Sequence, residues 1–238
     1  VEDILIQSSN IGALKIARKI GEDKYRNFIR KLNLLNTPNL ELDEVGSPKK
    51  IDWKKCKLET VSFGHGIMTT PLQIATAYAA ITNGGYMIKP TLKKQTNLAP
   101  DGLERIITEE TSAQINKILR KVVTDENGTA SLANIFGYDV AGKTGTAQNY
   151  QNKKININTF VSVFPSIKPK YVLLIMLDDP KPAPHIVYNY RGKMIKVNRN
   201  EAGWNAVYVS GKIIKKIGPI LAINNDEVYN NHVAKKTN

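Results

Sequence analysis

An α+β fold, with helices first and an antiparallel sheet after them, is what this sequence predicts, and three observations carry it. Up to Thr124 the apolar positions recur at helical spacing between capping residues and glycines. From Tyr138 the pattern changes to three β-rich runs with short connections, the mark of an antiparallel meander. A last amphipathic stretch near Gly203 to Ile217 closes an order that lacks the regular strand–helix alternation of a doubly wound sheet.

Glu2 to Gln7 reads as the end of a helix, Ser8-Ser9-Asn10 as a polar turn, and Ile11 to Ile20 as a second helix capped by Ser9 or Asn10 and ended by Gly21. Tyr25, Phe28, Ile29 and Leu32 share one face of a short helix between Glu22 and Asn33. Asn36 to Lys57, with Pro38, Gly46 and Pro48, is expected to be an extended loop. Thr70-Pro71 opens an alanine-rich helix that Asn83-Gly84-Gly85 closes. A strand is expected over Tyr86 to Leu92. Glu109 to Thr124 follows as a helix with Ile115, Ile118, Leu119, Val122 and Val123 on its inner face. The three sheet runs are Tyr138 to Gln148, Asn158 to Pro165 and Tyr171 to Asp178. Trp204, Val207 and Ile214 are the inward positions of the last helix, and residues 224–238 read as a polar, frayed tail after a domain at 1–223.

The chain has 238 residues, 42% of them apolar, enough for a real core. No apolar run approaches the roughly 18 residues a membrane helix needs. A formal charge of +13 would suit an anionic partner, but the lysines fall in scattered pairs without interleaved aromatics, so no nucleic-acid partner is expected. Cys56 is the sole cysteine, which excludes an internal disulfide. His65, His185 and His232 show no metal spacing, and no metal or other cofactor is expected. His65 between Gly64 and Gly66 reads as a tight turn, and Asp178-Asp179 before Pro180 as a strand end.

The chemistry concentrates in Val140-Ala141-Gly142-Lys143-Thr144-Gly145-Thr146-Ala147 and, far upstream, Ser8-Ser9-Asn10. Ser and Asn are ordinary helix caps, and a lysine on an edge strand is an ordinary protective residue. On a strand, Lys143 and Gly145 share one face and Thr144 and Thr146 the other, while the glycines leave room for a ligand backbone lying along the edge. Ser-x-Asn followed by Lys-Thr-Gly is much more specific than either motif alone, as two of the three parts of the active-serine penicilloyl-enzyme signature.

With those motifs the chain resembles the transpeptidase domain of class B penicillin-binding proteins, most of all the cell-division (septal) peptidoglycan synthases. Ser62-Phe63-Gly64-His65-Gly66, Thr70-Pro71-Leu72-Gln73, Gly128-Thr129-Ala130 and Ala202-Gly203-Trp204-Asn205-Ala206 add to the resemblance. It implies the penicillin-binding-protein and serine β-lactamase fold, an antiparallel sheet flanked by helices. It also implies acyl transfer from the D-Ala-D-Ala end of a peptidoglycan stem peptide, mimicked by β-lactams. Ser8 would then pass the proton to the leaving amine, Asn10 would hold the substrate amide, and Lys143 would polarise Ser8 and attract the terminal carboxylate. Thr144 and Thr146 would hydrogen-bond that carboxylate, Gly145 between them would bind the substrate, and the N–H of Thr146 would serve as an oxyanion donor.

The third motif, Ser-x-x-Lys with the nucleophile, has no counterpart before Ser8. The expectation is a C-terminal part of the domain, its N-terminal part and nucleophile missing, inactive alone, with any membrane anchor upstream. Loss of the nucleophile helix is expected to leave apolar side chains around Ile11 and Leu72 exposed beside the Lys143–Ser8 cleft. Ser47-Pro48-Lys49-Lys50 matches Ser-x-x-Lys by letters, yet Gly46, Pro48 and a lysine run make it an exposed loop, not a catalytic helix. The resemblance also implies the periplasmic side of the bacterial inner membrane and, as partners, a septal glycosyltransferase and other division proteins. The alternatives are a serine β-lactamase or β-lactam sensor of the same fold, and a non-catalytic module that binds D-Ala-D-Ala ends or a partner.

Overall fold

The computed structural model describes residues 1–43, 45–46, 53, 57–95, 102–148 and 155–234. Helices α1 (Glu2–Ile6), α2 (Asn10–Ile20) and α3 (Glu22–Lys31) follow one another with minimal joints. Ser9, not Asn10, caps α2: its hydroxyl accepts the Gly12 N–H at 3.1 Å. Gly12 lets α2 close on α1, since a Cβ there would lie 2.6 Å from the Ile4 side chain. A short helix α4 (Lys57–Val61) begins where the long loop was expected to end. Gly64 and Gly66 then take φ values of 88° and 72°, as a turn around His65 requires.

Helix α5 (Pro71–Thr82) starts with a capping box in which Thr70 and Gln73 satisfy each other's backbone N–H. The Gln73 amide does more, donating from Nε2 to the carbonyls of Asn33 at 2.7 Å and Asn36 at 2.6 Å. The strand expected at Tyr86 to Leu92 reduces to one bridge, Tyr86 to Arg105. Pro90 has no N–H to extend the ladder, so pairing stops after the Met87 N–H reaches the Glu104 carbonyl. Helix α6 (Glu109–Thr124) has the expected bounds. Ser112 and Asn116 on its buried side bind the end of α5, accepting from Gly84 N–H at 3.0 Å and donating to the Thr82 carbonyl at 2.9 Å.

Strands β1 (Ala141–Gln148), β2 (Asn156–Phe164) and β3 (Tyr171–Asp178) form an antiparallel sheet in the order β1-β2-β3, which leaves β1 on an edge. Its register is uninterrupted, with Lys143 opposite Val161 and Thr144 opposite Phe160. β1 starts later than Tyr138 because Asp139 turns through a left-handed φ of 47°. Asp139 is held there by Arg120 Nε at 2.9 Å and by the Ser166 hydroxyl, while Arg120 also donates to the Val140 carbonyl at 2.6 Å and to Asn134 Oδ1 at 3.0 Å.

Helices α5 and α6 cover one face of the sheet, where Leu119, Ala141 and Val163 are buried together. The main core lies on the other face, with Phe160, Phe164, Val207 and Ile214 under helix α7 (Ala206–Ala234). Glycine holds α7 close: a Cβ at Gly211 would meet the Leu132 carbonyl at 2.7 Å, and one at Gly218 the Tyr138 ring at 2.1 Å. Val207 and Ile214 face inward as expected, whereas Trp204 lies in the turn before the helix. The helix outlasts its expected end at Ile217 and continues to Ala234, so the stretch read as frayed from Asn224 is helical to that point. Past Pro219 the sequence has neither glycine nor proline to stop it.

A hairpin of β4 (Tyr188–Tyr190) and β5 (Lys193–Ile195) was not anticipated. Arg191 at φ 54° and Gly192 at φ 80° make the primed two-residue turn that such hairpins favour. Asp179, at φ 47° with Lys181 Nζ 2.6 Å from its carboxylate, is the expected strand-end turn. No helix among the described residues is long and apolar enough to cross a membrane, and no metal-ligating cluster occurs among them.

Candidate active site

The edge position of β1 and the α1–α2 joint bring the two sequence motifs together. Ser8 occupies that joint with φ 56°, a left-handed conformation that costs a non-glycine residue energy and that here turns its side chain out of the helix path. Lys143 Nζ donates to Ser8 Oγ at 2.7 Å and to the Thr144 carbonyl at 3.2 Å. Burial pulls the Lys143 pKa down to about 8, because a lysine desolvated on the covered face of the sheet loses part of the hydration of its charge. An amine titrating there can hold an anion below that pH and take a proton from a hydroxyl above it.

Alternation along β1 holds without a bulge, so Thr144 and Thr146 lie on the other face from Lys143. Both threonines line a cavity of about 390 Å³ that also has Ser8 in its wall, whereas Lys143 is not among its lining residues and adjoins it through its bond to Ser8. The Thr144 hydroxyl lies 2.7 Å from that of Thr129, and Thr146 Oγ1 accepts the Ala202 N–H at 3.3 Å. The two glycines of the motif differ in their reasons. A Cβ at Gly142 would meet the Val161 carbonyl at 2.4 Å and the Phe160 ring at 2.7 Å, a packing demand of the fold itself. Among the described residues, one at Gly145 would meet only Thr159, at 3.9 Å, so none of them requires glycine there. The space it leaves opens on solvent and suits a ligand backbone.

Asn10 is exposed at the first position of α2 and is not among the residues lining the cavity. Ile11 beside it is 68% exposed, as expected, but Leu72 is half-buried. Ser47, Lys49, Lys50 and Cys56 lie outside the described residues. The far wall of the cavity carries residues to which sequence reasoning gave no part in the site: Thr129 and Ser131 after α6, Tyr190 on β4, Arg199 and Glu201 before α7, and Trp204, which was expected in the core of the last helix. Tyr190 and Trp204 rings lie 5.1 Å apart, and Arg199 pairs with Glu201 at 3.0 Å. No spacing in the sequence links these turns to β1; the unanticipated hairpin is what sets Tyr190 there.

The family model for the penicillin binding protein transpeptidase domain matches residues 1–196. A probable peptidoglycan D,D-transpeptidase FtsI of Caulobacter vibrioides is 32% identical over 236 residues, covering 93% of this chain and 38% of the relative. The penicillin-binding protein PbpB of Mycolicibacterium smegmatis is 32% identical over 201 residues, covering 74% of this chain and 31% of the relative. The chain thus spans about a third of the length of these curated relatives. Among solved structures, penicillin-binding protein 3 of Mycobacterium tuberculosis in complex with ampicillin superposes with a TM-score of 0.73 at 26% identity, over 92% of this chain and 51% of that one. The transpeptidase domain of Burkholderia pseudomallei penicillin-binding protein 3 gives 0.75 at 24% identity, over 92% and 64%, a likeness of fold. The sheet with its flanking helices, the Lys143–Ser8 contact at its edge and these matches agree: the chain belongs to the penicillin-binding protein transpeptidase domain family, as a class B domain of the septal type.

Proposed function

We propose that this chain supplies the proton-transfer and carboxylate-binding half of a serine D,D-transpeptidase that cross-links peptidoglycan stem peptides. The observation that carries the reading is the 2.7 Å contact from Lys143 Nζ to Ser8 Oγ in the wall of a cavity that Thr144 and Thr146 also line. In the reaction a serine Oγ, borne on a Ser-x-x-Lys segment, gives its proton to the lysine of that segment, attacks the penultimate D-Ala carbonyl and forms an ester as the C–N bond to the last D-Ala breaks. Ser8 hands a proton to the leaving amine and is recharged through Lys143. An amine of a second stem peptide then attacks the ester, the amide bond of the cross-link forms as the ester C–O bond breaks, the proton shed by the amine returns through Ser8 to Lys143, and the freed serine Oγ takes its own proton back from the lysine of its segment. Protonated Lys143 and the hydroxyls of Thr144 and Thr146 hold the terminal carboxylate of the donor. Asn10 orients the donor amide, and the N–H of Thr146 stabilises the oxyanion.

The transpeptidase part is assigned to 1–223, with 224–238 outside it. The work is assigned to the periplasmic side of the inner membrane at the division site, alongside a glycosyltransferase. The 238 residues alone form no acyl-enzyme, for Ser8 transfers protons and Ser47 sits in a charged, proline-containing run.

The test is acylation by a fluorescent penicillin, and cross-linking of D-Ala-D-Ala stem peptides, measured on the chain alone and on the chain joined to a Ser-x-x-Lys segment. The expected result is no adduct by intact mass for the chain alone, a stable adduct and cross-links for the joined form, and loss of both on Lys143→Ala. An adduct on any residue of the chain alone, or an unchanged rate in Lys143→Ala, overturns the reading; rapid deacylation without cross-links would make the protein a β-lactamase.

A further inference from the structure

Thr129 belongs to the Gly128-Thr129-Ala130 run but carries no role in the chemistry described above, yet its hydroxyl lies 2.7 Å from the hydroxyl of Thr144 and it lines the same cavity. Its backbone is fixed from several sides. A Cβ at the preceding Gly128 would lie 2.4 Å from the Val122 carbonyl, and the following Ala130, fully buried, donates its N–H to that carbonyl at 3.1 Å. Arg191 Nη2 donates to the Asp125 carbonyl at 2.7 Å, and Gly203 packs so closely on the Thr129 carbonyl that a Cβ there would lie 2.8 Å from it. The Thr129 backbone is therefore placed by the fold, and within it the hydroxyl is directed at Thr144.

A carboxylate can only accept hydrogen bonds, whereas each hydroxyl has one proton to give. For Thr144 to donate to a bound carboxylate it must direct its proton into the cavity, and its contact with Thr129 must then run the other way, Thr129 giving and Thr144 accepting. We propose that Thr129 is a positioning residue that, by donating to Thr144 Oγ1, commits the Thr144 proton to the ligand's carboxylate and so gives the site its preference for a free C-terminus. This rests on the carboxylate-binding reading of Thr144 given above. A charge-assisted bond gains from such a chain because each donor polarises the next.

The experiment measures binding to the chain, by calorimetry or NMR titration, of an N-acylated D-Ala-D-Ala peptide with a free carboxylate and of its C-terminal amide. Thr129→Val keeps the shape of the side chain but has no hydroxyl; Thr129→Ser keeps the hydroxyl. Thr129→Val is expected to weaken the carboxylate peptide about tenfold and the amide much less, while Thr129→Ser restores the wild-type ratio and all three proteins melt alike. Equal weakening of both peptides, no weakening in Thr129→Val, or no rescue by Thr129→Ser overturns the inference while leaving the site assignment in place. A wild-type chain that binds the two peptides equally, or binds neither, overturns the carboxylate-binding assignment and this inference with it.

Discussion

Lys143 Nζ and Ser8 Oγ, 135 positions apart in the chain, meet at 2.7 Å. One comes from an edge strand and the other from a joint between helices, and each is held in a state it would not adopt in water. The lysine is partly stripped of solvent, and the serine sits in left-handed backbone.

The lowered Lys143 pKa gives a signed pH dependence. Its folded value of about 8 lies below its ordinary 10.5, so between these limits the unfolded chain binds more protons than the folded one. Stability should therefore rise with pH across that window, and the cost of burying the charge should be in full force below it. Urea unfolding on either side of about pH 8, compared with Lys143→Met, checks this: the variant should lose the rise. Affinity for a carboxylate ligand should move oppositely, falling as pH passes about 8, and a pH-independent affinity would show that Lys143 is not the counter-charge.

Ser8→Gly should separate stability from function. Glycine adopts φ 56° without the steric cost that serine meets, so the variant should be more stable by about 1 kcal/mol in chemical unfolding. Penicillin acylation of the form carrying a Ser-x-x-Lys segment should fall by at least about a hundredfold, since the hydroxyl relay is gone. A variant that gained stability and kept its rate would remove Ser8 from the proton path.

Alanine at the two glycines of β1 should give opposite phenotypes. Gly142→Ala places a Cβ against the Val161 carbonyl and the Phe160 ring and should destabilise by about 1 to 3 kcal/mol. Among the described residues Gly145→Ala meets only Thr159, so stability should change by less than about 0.5 kcal/mol while peptide binding along the edge weakens. Thermal melts and peptide titrations on the two variants decide the matter.

Arg120→Met should loosen the start of β1. The guanidinium joins Asp139, the Val140 carbonyl and Asn134, so its removal leaves several polar groups short of partners at once. A loss of about 2 to 4 kcal/mol is expected, with faster amide exchange at Val140 and Ala141 than at β3.

Much of this architecture was legible because local chemistry and tertiary structure agree. Glu109 to Thr124 and Tyr171 to Asp178 have the bounds their periodicity implies, and Thr70-Pro71 is a helix start on its own merits. The Lys143 and Ser8 motifs could be named from sequence, though only the fold brings them together. Reading failed where the deciding partner is distant. Tyr86 to Leu92 has strand-forming side chains but only one short stretch to pair with, and Asp139 leaves the extended region because Arg120 and Ser166 hold it elsewhere. The far wall of the cavity, with Thr129, Tyr190 and Trp204, is assembled from two turns and the end of strand β4, whose proximity no periodicity encodes. The β4–β5 hairpin had a local signal in Arg191-Gly192, but its strands are too short for alternation to stand out.

Gln73 occupies a position that few substitutions could fill. Its Oε1 accepts from Thr70 N–H at 3.0 Å and from two threonine hydroxyls, while its Nε2 points at two backbone carbonyls, with only 3% of the residue exposed. Glutamate has the same shape, but ionised it would set an oxygen against the carbonyls of Asn33 and Asn36, turning two attractions into two repulsions. It could be tolerated there only with its proton on, so a single exchange of nitrogen for oxygen would convert an inert helix cap into an acid-dependent latch on the loop that follows α3.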